Sequence, residues 1–263
     1  MDFYKFDGAG NDFVLIDIRD NDPQLTTEQI ARLCHRRFGI GADGLMTLGR
    51  CEGYDFEMRY YNSDGRLGSM CGNGGRCITA FAHLLGITPH EGVFHFVGFD
   101  GPHDARLLVW DTDRRLGLVS LGMKDVANAD ILRIKDEEAD GYFLNTGSPH
   151  FVQRVQNLEH YDVVGEGRRI RHIARLFPEG TNVDFIEDLP DGRLMVRTYE
   201  RGVEDETWAC GTGVTACAIV SGNQKLQTKG GDFKVTFRPT GDAFKEVTLI
   251  GPVALNFTGS ITL

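Results

Sequence analysis

Cys71 and Cys210 share one local setting: each is followed by Gly-x-Gly, as Cys71-Gly72-Asn73-Gly74 and Cys210-Gly211-Thr212-Gly213, and each opens an apolar, helix-forming run. A helix leaves its first backbone N–H groups unpaired, and with the positive end of its dipole these favour a bound anion and a thiolate over a thiol. Glycines cost little helix stability in a first turn and leave those N–H groups bare. Two such helix ends brought to one cleft would hold a carboxylate from both sides, with a sulfur on each flank. That arrangement suits proton transfer at the weakly acidic carbon beside the carboxylate. The N–H groups stabilise charge as it develops, one thiolate removes the proton, and the opposing thiol delivers another to the opposite face, inverting configuration. A lone cysteine beside glycines is more often a small buried residue; the duplication changes the reading.

The duplication extends well upstream. Met58-Arg59-Tyr60-Tyr61-Asn62 leads to Cys71 over nine residues, and Val196-Arg197-Thr198-Tyr199-Glu200 leads to Cys210 over ten. Gly10-Asn11-Asp12 is echoed by Gly147-Ser148-Pro149-His150, and Gly41-Ala42-Asp43 by Gly180-Thr181-Asn182. Gly10 precedes Gly41 by 31 residues and Gly147 precedes Gly180 by 33, while Gly41 to Cys71 and Gly180 to Cys210 are both 30. Four markers at matched intervals predict an internal repeat of two similar lobes, related by a pseudo-two-fold axis that sets the cysteines opposite each other.

The elements that must position them follow the same order in each half. Strands are expected over Phe3–Asp7 and Val14–Asp17, around the loop from Gly8 to Asp12. A helix capped by Thr26 or Thr27 carries Ile30, Leu33 and Cys34 on one face and stops at Gly39. Phe56–Tyr61 alternates as a strand before the Ser63-Asp64-Gly65 turn. The helix after Cys71 runs through Cys77, Phe81, Leu84 and Leu85 to Gly86, and the stretch from Val93 to Leu118 is strand-rich, with a hairpin at Asp111-Thr112-Asp113. In the second half, strands over Tyr142–Asn145 and Phe151–Val155 flank the Gly147–His150 loop, a helix lies around Ile170–Leu176 before Pro178, Asp191-Gly192 turns into the strand Leu194–Tyr199, and a helix runs from Cys210 to Gly222. Cys77 and Cys217 fall inside helices as core residues; Cys34 and Cys51 receive no role. No linker-like segment separates the halves, whose boundary falls near residues 115–120.

Bulk properties narrow the setting. The 263 residues suffice for two lobes, and 41% apolar with 25% charged residues is ordinary for a globular chain. The 33 glycines, about one residue in eight against a usual share of about 7%, imply many tight turns or ligand-facing loops. A net charge of −10 argues against nucleic acid as a partner. No signal-peptide pattern opens the chain and no apolar run reaches membrane-spanning length, so a cytoplasmic protein is expected and its six cysteines read as thiols. Gly39-Ile40-Gly41-Ala42-Asp43-Gly44 fits G-x-G-x-x-G, but a helix precedes it and a strand follows, the wrong order for a dinucleotide site. The cysteines lack C-x-x-C spacing, which argues against structural zinc.

At these residues the sequence resembles the diaminopimelate epimerase family. Phe6-Asp7-Gly8-Ala9-Gly10-Asn11-Asp12-Phe13 is similar to that family's N-terminal signature, and Gly39–Gly44, Asn62-Ser63-Asp64-Gly65, Met70–Arg76, Gly180-Thr181-Asn182-Val183 and Glu200-Arg201-Gly202 through Cys210-Gly211-Thr212-Gly213 match in order. The resemblance implies an α+β fold of two pseudo-symmetric lobes, each a β-barrel-like mixed sheet wrapped around a central helix. It places an N-terminal lobe over 1–117, a C-terminal lobe over 118–251, and a last strand over about 252–263 that crosses back to the first. It implies a homodimer that interconverts LL- and meso-diaminopimelate, a precursor of lysine and peptidoglycan, without pyridoxal phosphate, metal or other cofactor. By matching position Cys71 and Cys210 are acid and base; Gly72, Asn73, Gly211 and Thr212 hold the reacting carboxylate; Asn11, Asn62, Asn182 and Arg201 contact substrate polar groups; Glu200 meets the reacting ammonium; His150 and Glu200 tune the thiols. Independently, the planar fork of Arg201 suits a carboxylate.

The sequence departs from the family in three places. Ser148 stands where the family usually has Asn, shortening a distal hydrogen bond or replacing it with water. Gly44 replaces a polar residue found in some members. Glu204-Asp205-Glu206 adds negative charge near the site. Alternatives of other kinds are a proline or hydroxyproline racemase, a dithiol redox protein and a non-catalytic amino-acid binding module. The Asn11, Asn182 and Arg201 set favours a longer, doubly zwitterionic substrate over proline. Redox use leaves two carboxylate-gripping helix ends unexplained, and a binding module needs no thiols.

Overall fold

A computed structural model describes residues 1–68 and 71–262. Met70 of the family-like segment therefore lies outside the described residues. The chain divides into two compact units, Met1–Leu121 with Gly251–Leu263, and Gly122–Ile250.

In the first unit β1 (Asp2–Gly8) and β2 (Asn11–Asp17) form a hairpin, and α1 (Thr27–Cys34) carries the chain to β3 (Gly44–Gly49), which runs parallel to β2. β4 (Phe56–Asn62) pairs antiparallel with β3. After α2 (Gly72–Leu84), β5 (Phe94–Gly98) pairs parallel with β4, and β6 (Gly101–Asp111) and β7 (Leu116–Gly122) continue antiparallel. The 251–260 portion of the last strand, β17 (Ala243–Ser260), pairs with β7 on one side and β1 on the other. The eight strands thus close on themselves, and among the described residues none of them is left as an unpaired edge strand. Phe6, Phe13, Phe56, Phe81 and Phe96 are fully buried, and α2 packs against β1, β2, β3, β4 and β6. Every residue of α2 from Gly72 to Ala82 is buried, the pattern of a helix enclosed on all sides.

The second unit follows the same order. β8 (Val126–Ala127) and β9 (Leu132–Lys135) lead to the hairpin β10 (Asp140–Asn145) and β11 (Pro149–Arg154), and α3 (Val163–Arg171) connects to β12 (Asn182–Asp188), parallel to β11. β13 (Leu194–Glu200) is antiparallel to β12 and carries β14 (Asp205–Thr207). After α4 (Gly211–Ser221), β15 (Lys225–Thr228) pairs parallel with β13, and β16 (Gly231–Pro239) joins it to the 243–250 portion of β17. β8 pairs with β17, and β9 with β10. Hairpin, parallel crossover, antiparallel return, buried helix and second parallel pairing occur in both units, as the matched sequence intervals require. Among the described residues no helix is long and apolar enough to cross a membrane.

Local signals explain most boundaries. Thr26 caps α1 in a reciprocal box with Gln29, a device that stabilises by about 1 kcal/mol. That helix stops at Cys34, not Gly39, because residues 35–39 fold into a turn in which the Gly39 N–H bonds the His35 carbonyl. The helix expected around Ile170–Leu176 instead spans Val163–Arg171, capped by the Asp162 carboxylate on the Gly165 N–H at 2.9 Å. Gly165 and Gly167 weakened the helical signal. A Cβ on Gly167 would stand 2.3 Å from Tyr199 Cβ, so this position takes glycine to let α3 lie on β13.

Candidate active site

Cys71 and Cys210 are the N-cap residues of α2 and α4, in extended backbone with φ −106°, ψ 125° and φ −112°, ψ 111°. Each carbonyl accepts the N–H four residues on, from Gly75 and Val214, at 2.8 Å. Gly72, Asn73, Gly211 and Thr212 therefore supply the first N–H groups of the two helices, which lack intrahelical partners.

In the first unit the Cys71 thiol lies 3.5 Å from Asn11 Oδ1, which also accepts from Asn73 Nδ2 at 3.2 Å. Asn11 Nδ2 donates to Asp43 Oδ2 at 2.8 Å, and Asp43 pairs with Arg36. Beneath this loop Lys5 contacts Asp12 at 2.5 Å and the Gly41 carbonyl. Burial pushes the Asp12 carboxyl up, but Arg36 and Lys5 outweigh it and hold it well below the usual carboxylate range. Arg76, fully buried in α2, bonds the Gly72 carbonyl and Asn73 Oδ1. Burial lowers its pKa to about 10, so the guanidinium remains a cation at neutral pH. Asn62 ends β4, exposed, opposite Gly44.

In the second unit the Cys210 sulfur is 3.4 Å from the Thr212 hydroxyl, which is 2.8 Å from His150 Nε2. His150 Nδ1 meets Asp184 Oδ2 at 2.6 Å with both side chains fully buried, and Thr198 donates to Asp184 Oδ1 at 2.7 Å. Asn182 is buried and engaged: it accepts from the Arg201 N–H at 2.8 Å and donates to the Pro149 carbonyl at 2.8 Å and to Ser148 Oγ at 3.2 Å. Arg201 is exposed, with one guanidinium N–H on the Glu179 carbonyl. Glu200 accepts from the Thr207 hydroxyl at 2.9 Å. Burial pushes the Cys210 thiol well above its ordinary range, and the charges of Glu200 and Asp184 add to this; Thr212 and the Gly213 N–H pull the other way and lose. The helix end alone would have lowered this thiol, but desolvation dominates. Cys77 and Cys217 are buried inside their helices.

Each of the three departures has a definite place in the structure. Ser148 Oγ turns inward, 2.9 Å from His150 Nε2 and 3.1 Å from Thr212 Oγ1. Glu204 pairs with Arg171, and Glu206 with Arg197 and Lys229, so two of the three added charges are neutralised locally. A Cβ on Gly44 would stand 2.5 Å from the Tyr60 ring, so Tyr60 occupies the space of the missing polar side chain.

Sequence reasoning passed over Asp184, Thr198, Arg76, Asp43 and Lys5. Two of them carried a signal: Asp184 interrupts an apolar run two residues after Asn182, on the same strand face, and Arg76 interrupts a helix with no polar face.

The family model for diaminopimelate epimerase matches residues 3–97 and 142–254. The diaminopimelate epimerase of Flavobacterium psychrophilum is 42% identical over 99% of this chain and 100% of its own length. That of Chlorobaculum tepidum is 42% identical over 97% and 99%, and that of Aquifex aeolicus 37% over 100% and 98%. Among solved structures, a probable proline racemase from Agrobacterium radiobacter superposes with a TM-score of 0.70 at 15% identity, covering 100% of this chain and 93% of that one. A hydroxyproline epimerase from Agrobacterium vitis gives 0.67 at 16%, covering 98% and 91%. At such identities the structural likeness concerns the fold alone. The family match, by contrast, takes in both Cys-Gly-x-Gly helices and nearly every element that positions them, and on it the chain belongs to the diaminopimelate epimerase family.

Proposed function

We propose that this chain interconverts LL- and meso-diaminopimelate without a cofactor, using Cys71 and Cys210 as acid and base. The observation that carries this reading is the equivalence of the two cysteines, each the N-cap residue of a buried helix whose first N–H groups have no partner within the helix. One sulfur takes the α-proton, the other returns a proton to the opposite face, and the N–H groups of Gly72, Asn73, Gly211 and Thr212 stabilise charge on the reacting carboxylate.

At neutral pH burial keeps Cys210 as the thiol, which makes it the donor whenever Cys71 acts as base. Glu200 would receive the reacting ammonium, Arg201 the distal carboxylate, and Asn11, Asn62 and Asn182 would order the remaining polar contacts. His150 and Glu200 tune the thiols. Since one thiol must be ionised and the other protonated, rate against pH should be bell-shaped. The reading extends to a cytoplasmic homodimer, which light scattering at several concentrations would test.

Chiral chromatography after incubation with LL-diaminopimelate tests the activity. Growth of the meso isomer to a steady mixture, also reached from meso, supports the proposal. Conversion of proline or hydroxyproline instead would move the substrate, and no conversion of any of them would overturn the reading.

A further inference from the structure

We propose that Asp184 is a positioning residue for this reaction, fixing His150 in the form protonated on Nδ1 so that Nε2 can exchange the Cys210 proton through the Thr212 hydroxyl. The inference rests on Cys210 being an acid–base residue, as argued above, and adds how its proton is loaded and unloaded.

The geometry is confined to the second unit. Asp184 Oδ1 accepts from Thr198 at 2.7 Å, which leaves Oδ2 to accept from His150 Nδ1 at 2.6 Å. A carboxylate can only accept, so the ring proton sits on Nδ1 and the Nε2 lone pair faces away from Asp184. That lone pair meets the Thr212 hydroxyl at 2.8 Å and the Ser148 hydroxyl at 2.9 Å. Thr212 Oγ1 in turn lies 3.4 Å from Cys210 Sγ. The line from Asp184 to Cys210 is continuous.

Gly213 is part of the construction. A Cβ there would stand 2.4 Å from Asp184 Oδ1 and 3.1 Å from His150 Cε1, so only glycine lets the first turn of α4 lie against the pair. A buried carboxylate–imidazole pair adds little net stability over apolar packing of the same volume. Here Nε2 is spent on two hydroxyls, one of them the neighbour of the sulfur.

The exchange balances. The Cys210 S–H bond breaks as its proton passes to Thr212 Oγ1, and the Thr212 O–H bond breaks as its own proton passes to His150 Nε2. One O–H and one N–H bond form. A thiolate and an imidazolium remain, the latter beside the Asp184 carboxylate, and the reverse movement restores the thiol. Ser148 supports the same nitrogen, which gives the family-atypical serine a place.

The test compares wild type with Asp184→Asn, Thr212→Val and the double variant, each checked for folding by circular dichroism. Imidazole ¹⁵N shifts read the His150 tautomer without substrate; kcat and KM are read with LL-diaminopimelate. Wild type should show the Nδ1–H form, and Asp184→Asn should lose or mix it. Each single variant should lower kcat by about 10²-fold, the scale of one general acid–base contribution, with KM nearly unchanged. The double should be no slower than the worse single, because both changes cut one line. A wild-type Nε2–H form, wild-type kcat in Asp184→Asn, or fully multiplicative losses would overturn the inference. If Asp184→Asn fails to fold, Thr212→Val with the wild-type tautomer decides the matter. An Nδ1–H form that Asp184→Asn abolishes, in a wild type inert on diaminopimelate, supports the positioning role and overturns the functional reading instead.

Discussion

Cys71 and Cys210 hold nearly the same backbone conformation at the starts of two helices 139 residues apart in sequence, with φ and ψ differing by no more than about 15° between them. A protein that needed one reactive thiol would not build that setting twice. Replacing either sulfur by oxygen tests the consequence. A serine hydroxyl is a far weaker acid than a thiol and cannot hold the ionised state. Cys71→Ser and Cys210→Ser should each cut racemisation by about 10³-fold or more while leaving the far-ultraviolet circular dichroism unchanged. Full activity in either variant contradicts the paired-thiol account.

The buried thiols also make a prediction about stability. Burial pushes Cys34 up to about 12 from an ordinary 9.0, and Cys77, Cys210 and Cys217 well above that value. The unfolded chain releases these protons as the pH passes about 8.5, whereas the native chain keeps them. The native state therefore binds more protons in that range, and stability falls with rising pH. The urea midpoint should hold steady between about pH 7 and 8 and decline from about pH 9 upward, toward the native values. A midpoint flat through about pH 11 contradicts the burial argument.

Gly167→Ala reverses the usual expectation for a glycine inside a helix. Intrinsic propensity gains about 1 kcal/mol. The new Cβ, however, would stand 2.3 Å from Tyr199 Cβ and 2.6 Å from Cγ, and Tyr199 is fully buried on β13. Overpacking of this kind costs about 1–3 kcal/mol, so the net effect is a loss and calorimetry should show a lower Tm. A raised Tm would mean that α3 moves off the strand at no cost.

Asn11 is held between Asp43 at 2.8 Å and, on its other side, Asn73 and Cys71. Asp43→Ala frees the amide while Arg36 keeps its pair with Asp12. The Arg36–Asp43 contact is roughly half exposed and contributes little to stability. The expected result is a drop of about tenfold in kcat/KM with a Tm within about 2 °C of wild type. An unchanged kcat/KM would show that Asn11 needs no second anchor.

Much of this was legible before any coordinates. The repeat was readable because three of its four markers are glycine-bearing loops or helix starts, whose spacing from one another is fixed by the strands and helices between them. The Thr26-Thr27 pair, Cys71 and Cys210 announced helix starts because N-caps and first-turn glycines are local signals, and the structure places the cap on Thr26. The position of α3 was hidden by its own glycines, which serve contact with Tyr199 and not helix propensity. Asp184 was hidden for a related reason: its partner His150 lies 34 residues away, and Lys5 reaches across the β1–β2 hairpin to Asp12 and on to the Gly41 carbonyl 36 residues away, pairings that no local pattern encodes. The upward shift of the Cys210 thiol was likewise out of reach, since it depends on how deeply the cap is buried.

The central claim is that two sulfurs serve opposite faces of one α-carbon. Solvent isotope incorporation tests it most directly: LL-diaminopimelate in deuterium oxide, followed by mass spectrometry and chiral separation at low conversion, with wild type and each single serine variant. The account predicts that meso product from the wild type carries one deuterium at the inverted carbon, while recovered LL substrate stays unlabelled, because the returning proton comes from the second thiol. Label entering LL substrate as fast as meso product forms, or inversion persisting in a variant with one sulfur, would mean that a single base serves both faces.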